Sequence, residues 1–234
     1  MKTAESTETI SPNPIPMTKL RVILTFTEPL LGTLAADPNI AEEYIRSKAK
    51  TPEDQAEERS AQDQDAEFER TQSIFARHDG KPMLWDYQIK GFLKEAALAM
   101  IESRSMTQEA LKPYGLTPYV YKRTVDTLIF ILPRRIILTP PKAPNTDSFW
   151  LGLPNGAKGL KLVQRPLRKE NPRGGKVCLV ASEAVPAGTS VELCIVVLRP
   201  NLLPFVEQWL NYGELKGIGQ WRNGSFGRFT WAKA

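Results

Sequence analysis

LWDYQIKGFLKEAALAMIES, residues 84–103, is the stretch on which the fold turns. Ile89, Phe92, Leu93, Ala96, Ala97 and Met100 recur at spacings of three and four, the period of one face of an α-helix. The pattern predicts an amphipathic helix over 84–103, with Asp86 as its N-cap. Its first turn carries Gln88 and Lys90, and Lys94 follows one turn later. A helix N-terminus exposes unpaired amide N–H groups and the positive end of the helix dipole, so it attracts phosphate. Gly91 within the helix costs about 1 kcal/mol relative to alanine. Close backbone packing is the expected reason for it.

On the N-terminal side, LRVILTFT at 20–27 alternates apolar and polar residues and is rich in β-branched types, which predicts a half-buried strand. Residues 33–80 form a long connection, with a short helix expected at 41–50 and a weakly helical or mobile acidic excursion at 51–69. On the C-terminal side, 125–132 and 135–139 read as strands around Pro133. Residues 140–173 are rich in loop formers. Strands at 176–181 and 190–198 are expected to form a hairpin across the VPAGT turn at 185–189. A second amphipathic helix follows at 202–215, then a last strand at 226–232. The order strand, helix, strands, helix, strand predicts an α+β fold with a ferredoxin-like, RRM-like βαββαβ core. Such sheets often serve nucleic-acid recognition, although fold alone does not decide function.

Between the second helix and the last strand lies KGIGQWRNGSFGRF, residues 216–229. Gly217, Gly219, Gly224 and Gly227 share it with Arg222, Arg228, Trp221 and Phe226. Glycine permits positive φ and close approach of the backbone to another molecule. Bared amides beside guanidinium groups suit a polyanion. The plainer reading is a glycine-rich turn between helix and strand. Charge points the same way as the loop. The net charge is +5, but residues 41–70 hold ten acids against five bases, whereas 120–176 hold twelve Lys and Arg against Asp126, Asp147 and Glu170. A basic half beside an acidic segment suits a polyanion on one face.

Other classes are disfavoured. No stretch reaches the roughly 18 apolar residues of a membrane helix. Residues 1–17 are polar, lack the apolar core of a secretory signal and read as a disordered lead. Cys178 and Cys194 lack metal spacing and read as small buried hydrophobes of a cytoplasmic protein, facing each other at most across the hairpin. No phosphate-binding P-loop, Ser/His/Asp set or metal set is apparent, so no cofactor is expected.

The helix lead at 84–96 resembles the I-P-G-S-S-[IL]-K-G-x-[LF]-R-x-A signature of the RAMP superfamily, the repeat-associated proteins of CRISPR systems. Gln88-Ile89-Lys90-Gly91-Phe92-Leu93-Lys94 keeps its polar, apolar, Lys-Gly core. Trp85-Asp86-Tyr87-Gln88 stands where the signature has P-G-S-S, so stacking by Trp85 or Tyr87 is the alternative to phosphate contact there. The loop at 217–229 is similar to the family's C-terminal glycine-rich loop, and 20–32 to its first strand. Residues 121–126 resemble the start of its thumb-like β region, and 183–189 one of its hairpins. The resemblance is strongest to backbone subunits of type III effector complexes and extends to phage-encoded proteins of the same kind. It implies one RAMP-like domain over 18–234, with an acidic insertion at 41–80 and a β-rich thumb at 118–176.

The combined expectation is a subunit that binds single-stranded nucleic acid, foremost guide RNA, without catalysis of its own. Gln88, Lys90 and Lys94 would flank the strand. Lys216, Gly217, Gly219, Gly224 and Gly227 would lie along its phosphates with Arg222 and Arg228, while Trp221 and Phe226 stack on bases or wedge into the core. Lys122, Arg123, Arg165, Arg168, Lys169 and Arg173 would form a basic thumb. RNA or single-stranded DNA, further copies in a head-to-tail array and other CRISPR effector subunits are the expected partners. Two alternatives remain. One is a metal-independent endoribonuclease using His78, which otherwise reads as part of a polar turn, or Asp37, which otherwise reads as a helix cap. The other is a phage interaction or replication accessory protein whose acidic insert meets a protein partner.

Overall fold

A computed structural model describes residues 15–35, 72–141, 160–169 and 176–234. Asp37, Arg173, the expected helix at 41–50 and the acidic excursion lie outside the described residues, as does most of the N-terminal lead. The described chain is mixed α+β, with helices packed against several sheets.

The first sheet holds β1 (Thr18–Phe26), β7 (Ile129–Leu132), β11 (Ser190–Val197) and β12 (Phe229–Lys233) in the order β12-β1-β11-β7, every pair antiparallel. In β1 the alternation read from sequence is realised: Leu20, Val22, Leu24 and Phe26 are buried, whereas Lys19 and Arg21 face water. Helix α1 (Asp86–Glu102) buries Ile89, Phe92, Leu93, Ala96, Ala97, Met100 and Ile101, the stripe that its spacing predicts. Removing such side chains from water stabilises the fold by roughly 1.5–3 kcal/mol each. Phe229 ties the last strand to this core, its ring 5.1 Å from that of Phe92 and 6.1 Å from that of Phe26. The carboxy-terminal helix α4 (Leu203–Asn211) has 3-10 turns at both ends and contributes Phe205, Val206, Trp209 and Leu210 to the same core.

A second sheet joins β2 (Leu30–Leu31), β3 (Leu34–Ala35), β4 (Gln72–Ile74), β9 (Lys161–Lys169) and β10 (Lys176–Val185). A third joins β5 (Ala76–His78), β6 (Lys81–Trp85) and β8 (Arg135–Ile137). The end of the long connection thus supplies strands β4 and β5. Between β5 and β6 the chain reverses through Asp79 and Gly80, both at positive φ as a two-residue hairpin turn requires.

Several expectations need correction. Residues 125–128 are not strand. They complete helix α3 (Tyr121–Leu128), which follows the short helix α2 (Gln108–Leu111). Tyr121, Thr124, Val125 and Leu128 recur at helical spacing and pack inward, and this periodicity overrides the β-branched composition. The stretch 121–126 therefore does not begin a β region. Helix α1 starts at Asp86, with Trp85 in the N-cap position, because Leu84 and Trp85 pair with β8. The last strand begins at Phe229, since 226–228 still belong to the loop.

The 185–189 turn does not close a hairpin. β10 pairs with β9, β2 and β4, whereas β11 pairs with β1 and β7, so the turn passes the chain from one sheet to another. The Phe26 carbonyl accepts the Gly188 N–H and the Thr189 carbonyl accepts the Phe26 N–H, which draws the turn onto β1 instead. Cys178 and Cys194 accordingly sit in different sheets, opposite Leu167 and Arg21 respectively. Among the described residues no helix is long and apolar enough to cross a membrane, and no cluster of three or more His, Cys, Asp and Glu could hold a metal.

Candidate nucleic-acid interface

The first three turns of α1 and the glycine-rich loop meet. Between them lies a cleft of about 320 Å³, lined by Thr33, Tyr87, Gln88, Gly91, Phe92, Glu95, Ile218, Gly219 and Arg222. Helical periodicity explains the α1 side, because Gly91, Phe92 and Glu95 stand three, four and seven residues after Gln88. The Gln88 side chain is fixed at both ends. Its carbonyl accepts the Trp85 N–H at 2.8 Å and its amide donates to the Thr33 hydroxyl at 2.7 Å. It caps the helix, and so it forms a rigid wall of the cleft.

The opposite wall is shaped by glycines at positive φ. Gly217 (φ 76°) and Gly227 (φ 71°) bring the two stems of the loop together, and the Ile218 N–H donates to the Gly227 carbonyl at 2.9 Å. Gly227 in turn donates to the Pro29 carbonyl at 2.9 Å. At the tip, the Gly224 and Ser225 N–H groups donate to the Trp221 and Arg222 carbonyls. The amides of Ile218, Gly224 and Ser225 are therefore spent within the loop, and that of Gly227 on Pro29.

Glu95 sits where loop and helix join. One carboxylate oxygen accepts a charge-assisted hydrogen bond from Arg222, and the other lies 3.6 Å from the Lys216 ammonium. Lys216 also donates to the Asn223 side chain at 2.9 Å. Beyond Arg222, the Trp221 ring stacks on Phe226 at 5.1 Å and the Arg165 guanidinium lies 5.3 Å from the Trp221 centroid. Trp221 is 43% exposed, and its backbone takes the left-handed conformation at φ 52°. Arg165 is buried and donates to the Gln220 side-chain carbonyl at 2.6 Å, an oxygen that also accepts from the Ser73 hydroxyl at 3.2 Å. Burial holds the Arg165 guanidinium below its usual pKa. Its Nη1 and the Nε of Arg228 are buried without a hydrogen-bond partner among the described residues.

The other basic positions lie elsewhere. Lys90 donates to the Asp126 carbonyl at 3.0 Å and Lys94 pairs with the Asp126 carboxylate at 2.6 Å, so both face α3 rather than the cleft. Burial is the largest influence on Lys90 and lowers its pKa. Lys122 and Arg123 are exposed on α3. Arg168 and Lys169 lie on β9, opposite Val177 and Lys176. His78 ends β5, where its Nδ1 accepts from Arg135 at 2.8 Å, and its Nε2 is 3.6 Å from Asp79. Trp85 is buried, with Tyr87 stacked on it at 6.3 Å and the Arg134 guanidinium 5.2 Å away, so it is not presented for stacking on a base. Asp86 beside it has a raised pKa, because burial outweighs the Tyr87 N–H, Arg134 and Lys90.

No family model matches the sequence, and no curated protein is significantly similar to it. Solved structures similar to it include chains of two CRISPR complexes. One chain is from a cryo-EM structure of the type III-B Cmr-beta complex bound to cognate target RNA, with 12% identity and a TM-score of 0.45 over 93% of this chain and 59% of that one. The present chain thus spans about 59% of that subunit's length. The other is from a type IV-B CRISPR complex, with 10% identity and a TM-score of 0.45 over 93% of this chain and 90% of that one. Likeness at this level carries no statement about what the present chain binds.

Sequence reading missed Glu95 and Thr33 as cleft residues and Gln220 as the partner of Arg165. Glu95 had a signal: it stands seven residues after Gln88, on the same helix face. Gly91 has a different role from the packing expected of it. It is exposed, and a Cβ built there meets no atom within 4 Å outside the helix itself. Its missing side chain opens the floor of the cleft. Gly91→Ala should therefore stabilise the protein by roughly 0.5–1 kcal/mol, a gain measurable by urea unfolding, while placing a methyl group in the cleft. A loss of stability would restore the packing explanation.

Proposed function

We propose that this chain binds single-stranded nucleic acid, RNA foremost, along the surface where α1 meets the glycine-rich loop. The observation that carries the reading is the grouping of Arg222 on a cleft open at Gly91 with Lys216, the Trp221–Phe226 stack and Arg165 beside it. Cations beside a partly exposed aromatic side chain suit a single strand, because phosphates take the charge and bases stack on rings. The order β12-β1-β11-β7, with α1 and α4 connecting its strands, supports reading the core as ferredoxin-like. The motif order supports assigning the strand as guide RNA in a CRISPR-type or phage-encoded ribonucleoprotein, with copies and other effector subunits repeating along it. Lys122 and Arg123, with the basic residues of β9 and the segment after it, would extend the contact beyond the cleft. His78 is engaged by Arg135 away from the cleft, and nothing around it favours the nuclease reading.

Salt titration tests this. Affinity for a labelled single strand should fall by about 0.7 log units per phosphate contact for each tenfold rise in salt. Arg222→Ala should remove about one contact from that slope. A flat salt response, or a slope unmoved by Arg222→Ala, would overturn the reading.

A further inference from the structure

An acid at the centre of a surface offered to a polyanion is an anomaly, and Glu95 is that acid. Its carboxylate lines the cleft and is held by Arg222 on one oxygen and Lys216 near the other. A carboxylate offers about four lone-pair sites, so each oxygen retains capacity to accept a second hydrogen bond. A phosphodiester seated in the cleft would lie against this negative charge. A group presenting N–H donors would not.

We infer that the cleft takes one extruded nucleobase of the bound strand and that Glu95 selects guanine. This rests on the proposed single-strand binding and names what that site reads. Guanine is the base whose Watson–Crick edge presents two adjacent donors, N1–H and the N2 amino group, at the spacing of the two oxygens of a carboxylate. Adenine and cytosine present one amino donor beside a ring-nitrogen acceptor, and uracil presents one imino donor between two carbonyls. An acceptor-only carboxylate pairs with the guanine edge and faces a lone pair on each of the others.

The surroundings suit a planar ring. The cleft, at about 320 Å³, has room for a base, and Gly91 leaves open space on its α1 side. Tyr87 and Phe92 supply aromatic lining. The carboxamide of Gln88 already serves Trp85 and Thr33, which leaves Glu95 as the charged acceptor in the lining. Arg222 and Lys216 hold the carboxylate in place.

The test uses the full chain and oligouridine strands carrying one central guanine, adenine or cytosine, compared with uridine throughout. Binding is read by fluorescence anisotropy at fixed salt. The wild type should bind the guanine strand about tenfold more tightly than the other three, the scale of one bidentate base contact. Glu95→Gln should reduce that preference to about twofold or less, because the amide replaces one acceptor with a donor. Its affinity for the other three strands should stay the same or rise, since Lys216 and Arg222 are released from the carboxylate. Equal wild-type affinity for all four strands would overturn guanine selection and leave single-strand binding standing. A Glu95→Gln variant that retains the preference, or loses affinity for all four strands equally, would assign Glu95 a purely structural role and overturn the inference. Failure of the wild type to bind any strand would instead remove the underlying reading, and this inference with it.

Discussion

Gly227→Ala is expected to destabilise the protein by about 2–5 kcal/mol and to abolish nucleic-acid binding with it. The residue is buried at φ 71°, a conformation that costs a residue with a Cβ roughly 1–2 kcal/mol. A methyl group there would also overlap the Ile218 carbonyl oxygen. That contact is with backbone, so no rotamer change relieves it, and overpacking adds about 1–3 kcal/mol. Moving apart would break the Ile218-to-Gly227 and Gly227-to-Pro29 hydrogen bonds that join the loop stems to each other and to the residue before β2. Such a cost is a large share of the roughly 5–15 kcal/mol that holds a domain folded. Urea unfolding followed by tryptophan fluorescence gives the value. A loss below about 1 kcal/mol would show that the loop tolerates another conformation, and its role as a shaped wall would fail. Gly91→Ala, with the same added methyl group, should shift stability the opposite way, so the pair separates backbone strain from mere volume.

Glu183→Ala should be comparably damaging, at about 3–5 kcal/mol. Glu183 is 2% exposed on β10. One carboxylate oxygen accepts the Phe75 N–H at 2.8 Å, and the other accepts from the Arg77 guanidinium. Arg77 is itself largely buried and also donates to the Phe75 carbonyl at 3.3 Å. This pair fastens the crossing from β4 to β5 onto the second sheet. Removing the acid leaves a guanidinium and an amide in a site that water cannot easily reach, and their lost solvation is the cost. Replacing both residues, as in Glu183→Leu with Arg77→Met, should recover a substantial part of the loss, since an apolar pair of similar volume has no charge to desolvate. Chemical denaturation of the two single variants and the double variant measures the coupling. Additive losses would show that the two charges do not act as a pair.

Local pattern was enough for the elements that bury one face. The alternation of 20–27 and the three-and-four spacing of 84–103 each specify which side chains face inward, so β1 and α1 were legible with their core residues. The turn at Asp79–Gly80 was legible for the same local reason, because the residues that favour positive φ announce it. Local pattern was not enough where pairing is chosen between distant segments. Residues 185–189 look like a hairpin turn, yet Gly188 and Thr189 hydrogen-bond to Phe26, and the two flanking strands go to different sheets. Likewise 125–132 is a mostly apolar run rich in β-branched residues, but the inward row from Tyr121 to Leu128 makes its first four residues helical.

The site divides along the same line. The sequence by itself determined that a glycine-rich, arginine-bearing loop and a lysine-bearing helix exist, because composition and periodicity are local properties. Only the tertiary structure decided that Glu95, not Lys90 or Lys94, faces that loop. Adjacent positions such as Lys94 and Glu95 lie on different sides of a helix and so meet different neighbours. Which neighbours those are depends on how α1 is rotated against the sheet, and the burial of its whole apolar stripe sets that rotation.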